Sequence, residues 1–177
     1  MILMNFTGTP IKGTSTVDAH KDWITLDALQ MGVGRAISTS GGGDRDTSNP
    51  SFSEISLTRV TDLSSADLFM QAVCGKSLGD AEIHFIQTGG SDKKQQVFLK
   101  LILGGAIISA YSASSNGERP TETIAINFTT ISYEFNAFAG DTVKTGTPKK
   151  WDLERTNPSE PCSERACPAL GCEAALI

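Results

Sequence analysis

Histidine is scarce in this 177-residue chain, which carries only His20 and His84. Neither has a second histidine or a cysteine at metal-ligand spacing. His20 sits in the polar run Asp18-Ala19-His20-Lys21-Asp22 and His84 on the polar face of a predicted strand, so both are expected at the surface or in loops and not in catalysis. Large aromatics with polar handles are also few. Trp23, Trp151, Tyr111 and Tyr133 are the full set, which weakens the case for a ligand site lined by exposed aromatics. Charged residues make up 20% and the net charge is −5, with no basic run interleaved with aromatics. That balance argues against a nucleic-acid surface. Nor is there an apolar run near the ~18 residues needed to span a bilayer. The longest, Val97 to Ala113, is broken by Lys100, Gly104, Gly105 and Ser109. Met1 to Phe6 lacks the charged region, apolar length and cleavage site of a secretory signal. The chain is therefore expected to be made as a soluble cytoplasmic protein, and any export needs a route other than the general signal-peptide one.

Cysteine is limited to four residues. Cys74 lies in a predicted helix, and Cys162, Cys167 and Cys172 crowd the C-terminal end. A main domain without disulfides suits folding in a reducing compartment. The C-x4-C-x4-C spacing without a histidine makes a poor zinc site. Nucleotide motifs fail as well. Gly75-Lys76-Ser77 resembles the end of a phosphate-binding loop, but the first glycine of that motif would fall at Met70, inside the predicted helix. Gly32-Val33-Gly34 has Ile37 where a dinucleotide fingerprint needs its third glycine. These glycines read as strand bends. There is no G-x-S-x-G elbow. The carboxylate pairs Asp44/Asp46 and Glu118/Glu122 read as ordinary solvated charges, and the two glycosylation sequons, at Asn5 and Asn127, as chance. No cofactor or metal is implied, and an enzyme is the weakest of the function classes.

What the chain does have is glycine, 17 residues, and 39% apolar content in short alternating runs. Trp23 to Leu29 places Ile24, Leu26 and Ala28 on one face. Phe52 to Val60 does the same with Ile55 and Leu57, and Ala81 to Gln87 with Ile83 and Phe85. Two runs flanking Gly104-Gly105 read as a hairpin. In Thr121 to Phe138 the apolar set moves from Ile124, Ile126 and Phe128 to Ile131, Tyr133 and Phe135, so parity changes near Thr129-Thr130. A bulge or sharp bend there would keep both halves on one core. One helix is predicted over Ser65–Cys74, capped by serine, with Leu68, Phe69, Ala72 and Val73 as its packing stripe and Gly75 as its stop. The fold class is all-β: two packed antiparallel sheets forming a β-barrel, with one short α-helix on the side.

Composition shifts twice. Residues 38–50 contain three consecutive glycines and no large apolar side chain, and read as a long mobile loop. Residues 156–177 lose all alternation and read as an irregular, disordered tail beyond a domain of residues 1–155, with a frame-altered end as the alternative.

Several blocks carry a family resemblance. Pro50 to Phe69, P-S-F-S-E-I-S-L-T-R-V-T-D-L-S-S-A-D-L-F, and Leu101 to Phe135 are similar to the signature regions of the Hcp proteins of bacterial type VI secretion. H-K-D-W-I at His20 to Ile24 and K-K-W-D-L at Lys149 to Leu153 follow in the family's order. The resemblance implies a homo-hexameric ring around a wide channel, stacked into the expelled inner tube of an injection apparatus. Its partners would be other secretion components and small effector proteins held in the lumen. It also implies assembly in the bacterial cytoplasm and secretion without a signal peptide or membrane insertion. The family's extended loop matches residues 38–50, which nominates Asp44, Arg45, Asp46 and Asn49 for ring stacking. The Ser114 to Pro120 segment matches a family motif and reads first as a turn, second as an inter-subunit contact through Ser114, Asn116, Glu118 and Arg119. The chain departs from the family pattern after about Asn157. A β-barrel ligand-binding module without tube assembly is the alternative function.

Overall fold

The computed structural model describes residues 1–39, 45–89, 94–140, 142–155 and 157–158. Among them the strands run β1 (Ile2–Phe6), β2 (Ile24–Leu26), β3 (Ala28–Gln30), β4 (Val33–Gly34), β5 (Ile37–Thr39), β6 (Arg45–Thr47), β7 (Ser51–Phe52) and β8 (Ile55–Val60). After the helix α1 (Ser65–Cys74) come β9 (Ala81–Gly89), β10 (Lys94–Gly104), β11 (Ile107–Ser114), β12 (Thr121–Asn127), β13 (Thr130–Ala139), β14 (Thr142–Thr145), β15 (Lys149–Asp152) and β16 (Asn157–Pro158).

All pairings are antiparallel. A large sheet has the order β16-β15-β13-β10-β9-β1-β2, with β14 also on β13, and a small one the order β11-β12-β8-β3. The expected all-β architecture of two packed antiparallel sheets with one side helix is what the molecule adopts. Its two hydrogen-bond ladders remain separate and meet where the chain steps between them. One such corner is Asp27, whose N–H donates to the Thr58 carbonyl at 2.8 Å. Ile24 and Leu26 enter the core as expected, but the step at Asp27 leaves Ala28 exposed and turns Leu29 inward instead. A second corner is Gly104-Gly105. The flanking runs do not form the expected hairpin: β10 pairs with β9 and β13, while β11 pairs with β12. Gly105 has φ +63°, and a Cβ at Gly104 would collide with the Thr130 hydroxyl, so glycine is needed to turn between layers and not to close a hairpin. The third corner, at Phe128-Thr129, is the bend that the parity change demanded. Ile124, Ile126, Phe128 and Ile131 all reach the one core. Tyr133 and Phe135 share the inward parity of Ile131 but are 41% and 52% exposed, so the expectation that they fill the core fails there.

The core between the sheets is packed with Met4, Ile24, Ile55, Leu57, Ile83, Leu101, Leu103, Ile124 and Ile126, each buried. The helix lies beside β11. Only Leu68 of its stripe is buried; Ala72 is half-covered, while Phe69 and Val73 stay exposed, so the predicted stripe is wider than the contact. Phe69 still meets the edge of Tyr111 at 5.7 Å. Gly75 ends the helix at φ +62° with its N–H on the Gln71 carbonyl, as expected. Ser64 makes no side-chain cap, because its hydroxyl is committed elsewhere.

Candidate functional site

The segment predicted as a mobile loop is, in its described part, a ribbon. Val33 pairs with Phe52 and Gly34 with Ser51; further out, Ile37 pairs with Thr47, Ser38 with Asp46 and Thr39 with Arg45. Between these pairs the Ser48 N–H donates to the Ala36 carbonyl and its hydroxyl accepts from the Ala36 N–H. Small and β-branched residues with polar partners pair well enough to extend two strands, which the glycine-rich composition had concealed. Neither β4–β7 nor β5–β6 pairs with the two core sheets. Along this ribbon Met31, Val33 and Ile37 are 41%, 61% and 58% exposed. Of the nominated stacking residues, Arg45 and Asp46 lie in β6 and Asn49 is exposed at its base, while Asp44 lies outside the described residues.

The second nominated segment is a turn. Ser114 closes the β11–β12 ladder opposite Thr121, the Ser115 hydroxyl donates to the Glu118 carbonyl at 2.8 Å, and Gly117 takes φ +102°. Ser114, Asn116, Glu118 and Arg119 are exposed. Arg119 also borders a polar groove shared with Thr14, Asp27 and Asp62. The ribbon and this turn are separate features on different elements.

Next to the turn lies a cluster that sequence reading did not foresee. Glu122, expected to be solvated like Glu118, is fully buried, and so is Arg59. They face each other in register on β12 and β8. Arg59 Nε is 3.3 Å from Glu122 Oε2, and Tyr111 donates to Glu122 Oε1 at 2.8 Å. The other side of the guanidinium binds the Ser64 hydroxyl at 2.7 Å and the Asp62 carboxylate. Asp62 also accepts from the Ser64 N–H at 2.8 Å and from the Thr14 hydroxyl at 3.1 Å. Burial alone would raise the Asp62 carboxyl, but the bonds from Ser64 and Arg59 outweigh it and hold it below the usual carboxylate range. Burial and the bond to Glu122 push the Tyr111 hydroxyl up to about 12. This network ties three strands of the small sheet to the start of α1. It supplies no nucleophile–base pair, and reads as architecture.

The histidines also depart from expectation. His20 is buried and His84 half-buried, with His20 Nε2 2.7 Å from His84 Nδ1. Among the described residues, no group of three or more His, Cys, Asp or Glu side chains is arranged to hold a metal ion. No helix among them is long and apolar enough to cross a membrane.

The sequence profile described as "Type VI secretion system effector, Hcp" matches residues 3–135, which contain the ribbon, the buried network and both core sheets' central strands. The chain belongs to the Hcp family. It is 26% identical over 106 residues to protein hcp1 of Pseudomonas aeruginosa, an alignment that covers 58% of this chain and 64% of that protein. The chain thus spans just under two thirds of that curated relative's length. Among solved structures, a type six secretion system protein superimposes with a TM-score of 0.80 at 22% identity, covering 89% of this chain and 98% of that one. Hcp1 from Salmonella typhimurium gives 0.67 at 18% identity, with 89% and 97% covered. The secreted protein Hcp3 from Pseudomonas aeruginosa gives 0.62 at 18% identity, with 86% and 99% covered. At such identities these likenesses show a shared Hcp fold.

Proposed function

We propose that this Hcp-family chain is a non-enzymatic subunit of the type VI secretion inner tube. Identical copies close into hexameric rings, the rings stack, and the tube is assembled in the cytoplasm and expelled with small effector proteins in its lumen. The observation that carries the reading is the ribbon from Met31 to Ser53. A free two-stranded ribbon is marginally stable in water, and this one displays three large apolar side chains while pairing with neither core sheet. Both features are resolved if the ribbon beds against another copy. A contact between unlike surfaces that closes on itself gives a ring, and a second one along the axis extends it to a tube. In this reading Asp44, Arg45, Asp46 and Asn49 meet the adjoining ring, and the turn with Ser114, Asn116, Glu118 and Arg119 meets a lateral neighbour.

The test is mass photometry combined with negative-stain imaging of the purified full chain. Annular particles of about six times the 18.8 kDa chain mass are expected. Well-folded protein that stays monomeric over a wide concentration range would sink the proposal.

A further inference from the structure

The large sheet has a small second core on the face turned away from the main one. Leu3, Val17 and Ile86 are buried there, with Trp23 and Val97 packed against them. Strand parity explains the placement: Leu3, His84 and Lys100 are cross-strand partners, one residue out of phase with the main-core row Met4, Ile83 and Leu101. A strap, Ser15 to Trp23, covers this patch. It is folded on itself by the Ser15 N–H to the Trp23 carbonyl at 3.1 Å and the Asp22 N–H to the Ser15 carbonyl at 2.9 Å. Two of its side chains reach the sheet: Val17, buried against Leu3 and Ile86, and His20, whose Nε2 lies 2.7 Å from His84 Nδ1. Trp23 seals the pair, its ring 4.6 Å from His20 and 4.8 Å from His84.

The chemistry of this contact depends on protons. A hydrogen bond between two imidazoles needs one nitrogen to donate and the other to accept, so two imidazolium rings cannot form it. The outward nitrogens, His20 Nδ1 and His84 Nε2, are buried with no hydrogen-bond partner among the described residues, so a first proton, added to the bare one, meets no hydrogen-bond acceptor, and a second must break the bond between the rings. The surrounding charges do not rescue it. On β9, Glu82 stands 3.9 Å from His84 Nε2, but Lys100 on β10 lies 4.0 Å from the same carboxylate oxygen. Glu134 on β13 is opposite Lys100 in register, and just before β1 the N-terminal ammonium of Met1 is engaged with the Ile86 carbonyl at 3.1 Å. Asp18, Lys21 and Asp22 sit on the strap itself. Burial first, then Lys100 and His20, bring His84 down to about 4, and burial lowers His20.

We infer that the His20–His84 contact is an acid-released latch, which holds the Ser15 to Trp23 strap on the outer face of the sheet while at least one ring is neutral and frees it when both are protonated. A released imidazole titrates near ~6.5, and the latched rings titrate lower. The open form therefore binds more protons in the window between, so closure is fully favoured above that window and lost as pH falls through it. The main core need not unfold, because the strap's patch is a separate cluster.

Because the chain holds two tryptophans, Trp151→Phe makes Trp23 the sole indole reporter. With full-length protein, the acrylamide quenching constant should rise roughly two-fold from pH 7 to pH 4, the acid end being where latched His84 takes up its proton. The same titration on a His84→Gln background should be nearly flat, since an amide bonds to His20 without a proton of its own to gain. An unchanged constant in the Trp151→Phe protein, or an equal rise with His84→Gln, overturns the latch. Should either variant fail to fold, ring-proton NMR of the unaltered chain decides, for only two histidines contribute. Midpoints displaced well below ~6.5 support the latch, and two ordinary midpoints near that value refute it.

Discussion

Arg59 and Glu122 are each sealed from solvent, and Arg59 is the counter-charge of Glu122 and of Asp62 beside it. Breaking such a pair by neutralising one member strands the remaining charge in the interior, with a typical loss of about 3–5 kcal/mol. Arg59→Met alone should lower the urea unfolding free energy by that order; Glu122→Leu should cost less, because Asp62 still pairs the guanidinium, and adding Glu122→Leu to Arg59→Met should recover part of the loss. Equal losses in the single and double variants would show that packing, not charge, is at stake. Tyr111→Phe removes one bond to the buried carboxylate and should cost about 1–3 kcal/mol. The acid response of this cluster differs from that of the histidines. Asp62 is held below its ordinary value, so its contribution is present at neutral pH and is lost only as pH falls below about 4 through that depressed value. Arg59 and Glu122 left a trace in the sequence. Each occupies the apolar parity of its strand, after Ile55 and Leu57 in one and before Ile124 and Ile126 in the other. Opposite charges on two inward faces signal a buried pair, yet only strand pairing reveals that they meet in register.

Elements in this chain were legible where period and punctuation agree. β8, β9 and α1 fall where alternation, helical spacing and Gly75 placed them, and the parity change at Thr129 foretold a corner. The second corner was misread because two glycines between apolar runs suit either a hairpin or a step between layers, and long-range pairing decides. The ribbon was missed because its strands contain few of the side chains that mark a buried face. The histidines were missed because a polar residue on an outer face reads as exposed until another segment covers it. Ile86 shares that face with His84 and was the available hint of a second patch. Two outcomes follow for elements. Gly104→Ala should destabilise the fold by about 1–3 kcal/mol as its Cβ meets Thr130, with a matching fall in Tm. In α1, Leu68→Ala should cost about 2–5 kcal/mol, while Val73→Ser, on a side chain 65% exposed, should stay within about 0.5 kcal/mol in the isolated chain. A large loss at Val73 in dilute monomer would mean that the helix packs more fully than this structure has it.

At the scale of the molecule, the features that pack the barrel and those that project from it are separable. The two core sheets close their own interior, and the ribbon adds no strand to either. Removing residues 40–48 therefore takes away β6 and the nominated stacking residues Asp44, Arg45 and Asp46 without touching a core ladder. The unfolding midpoint of the dilute variant should stay within a few degrees of the parent chain. The lateral contact proposed for the Ser114 to Pro120 turn is left in place. If the proposed tube forms, electron micrographs at rising protein concentration should then show single annular particles for the variant and stacked ones for the full chain. Mass action sharpens the distinction, since an assembly that binds only folded copies gains stability with concentration. Rings of the variant should still show a concentration-dependent Tm, but without the further rise that stacking adds. Stacks as long and as frequent as those of the full chain would remove the ribbon from the tube's axial contact, and loss of rings altogether would move it to the lateral one.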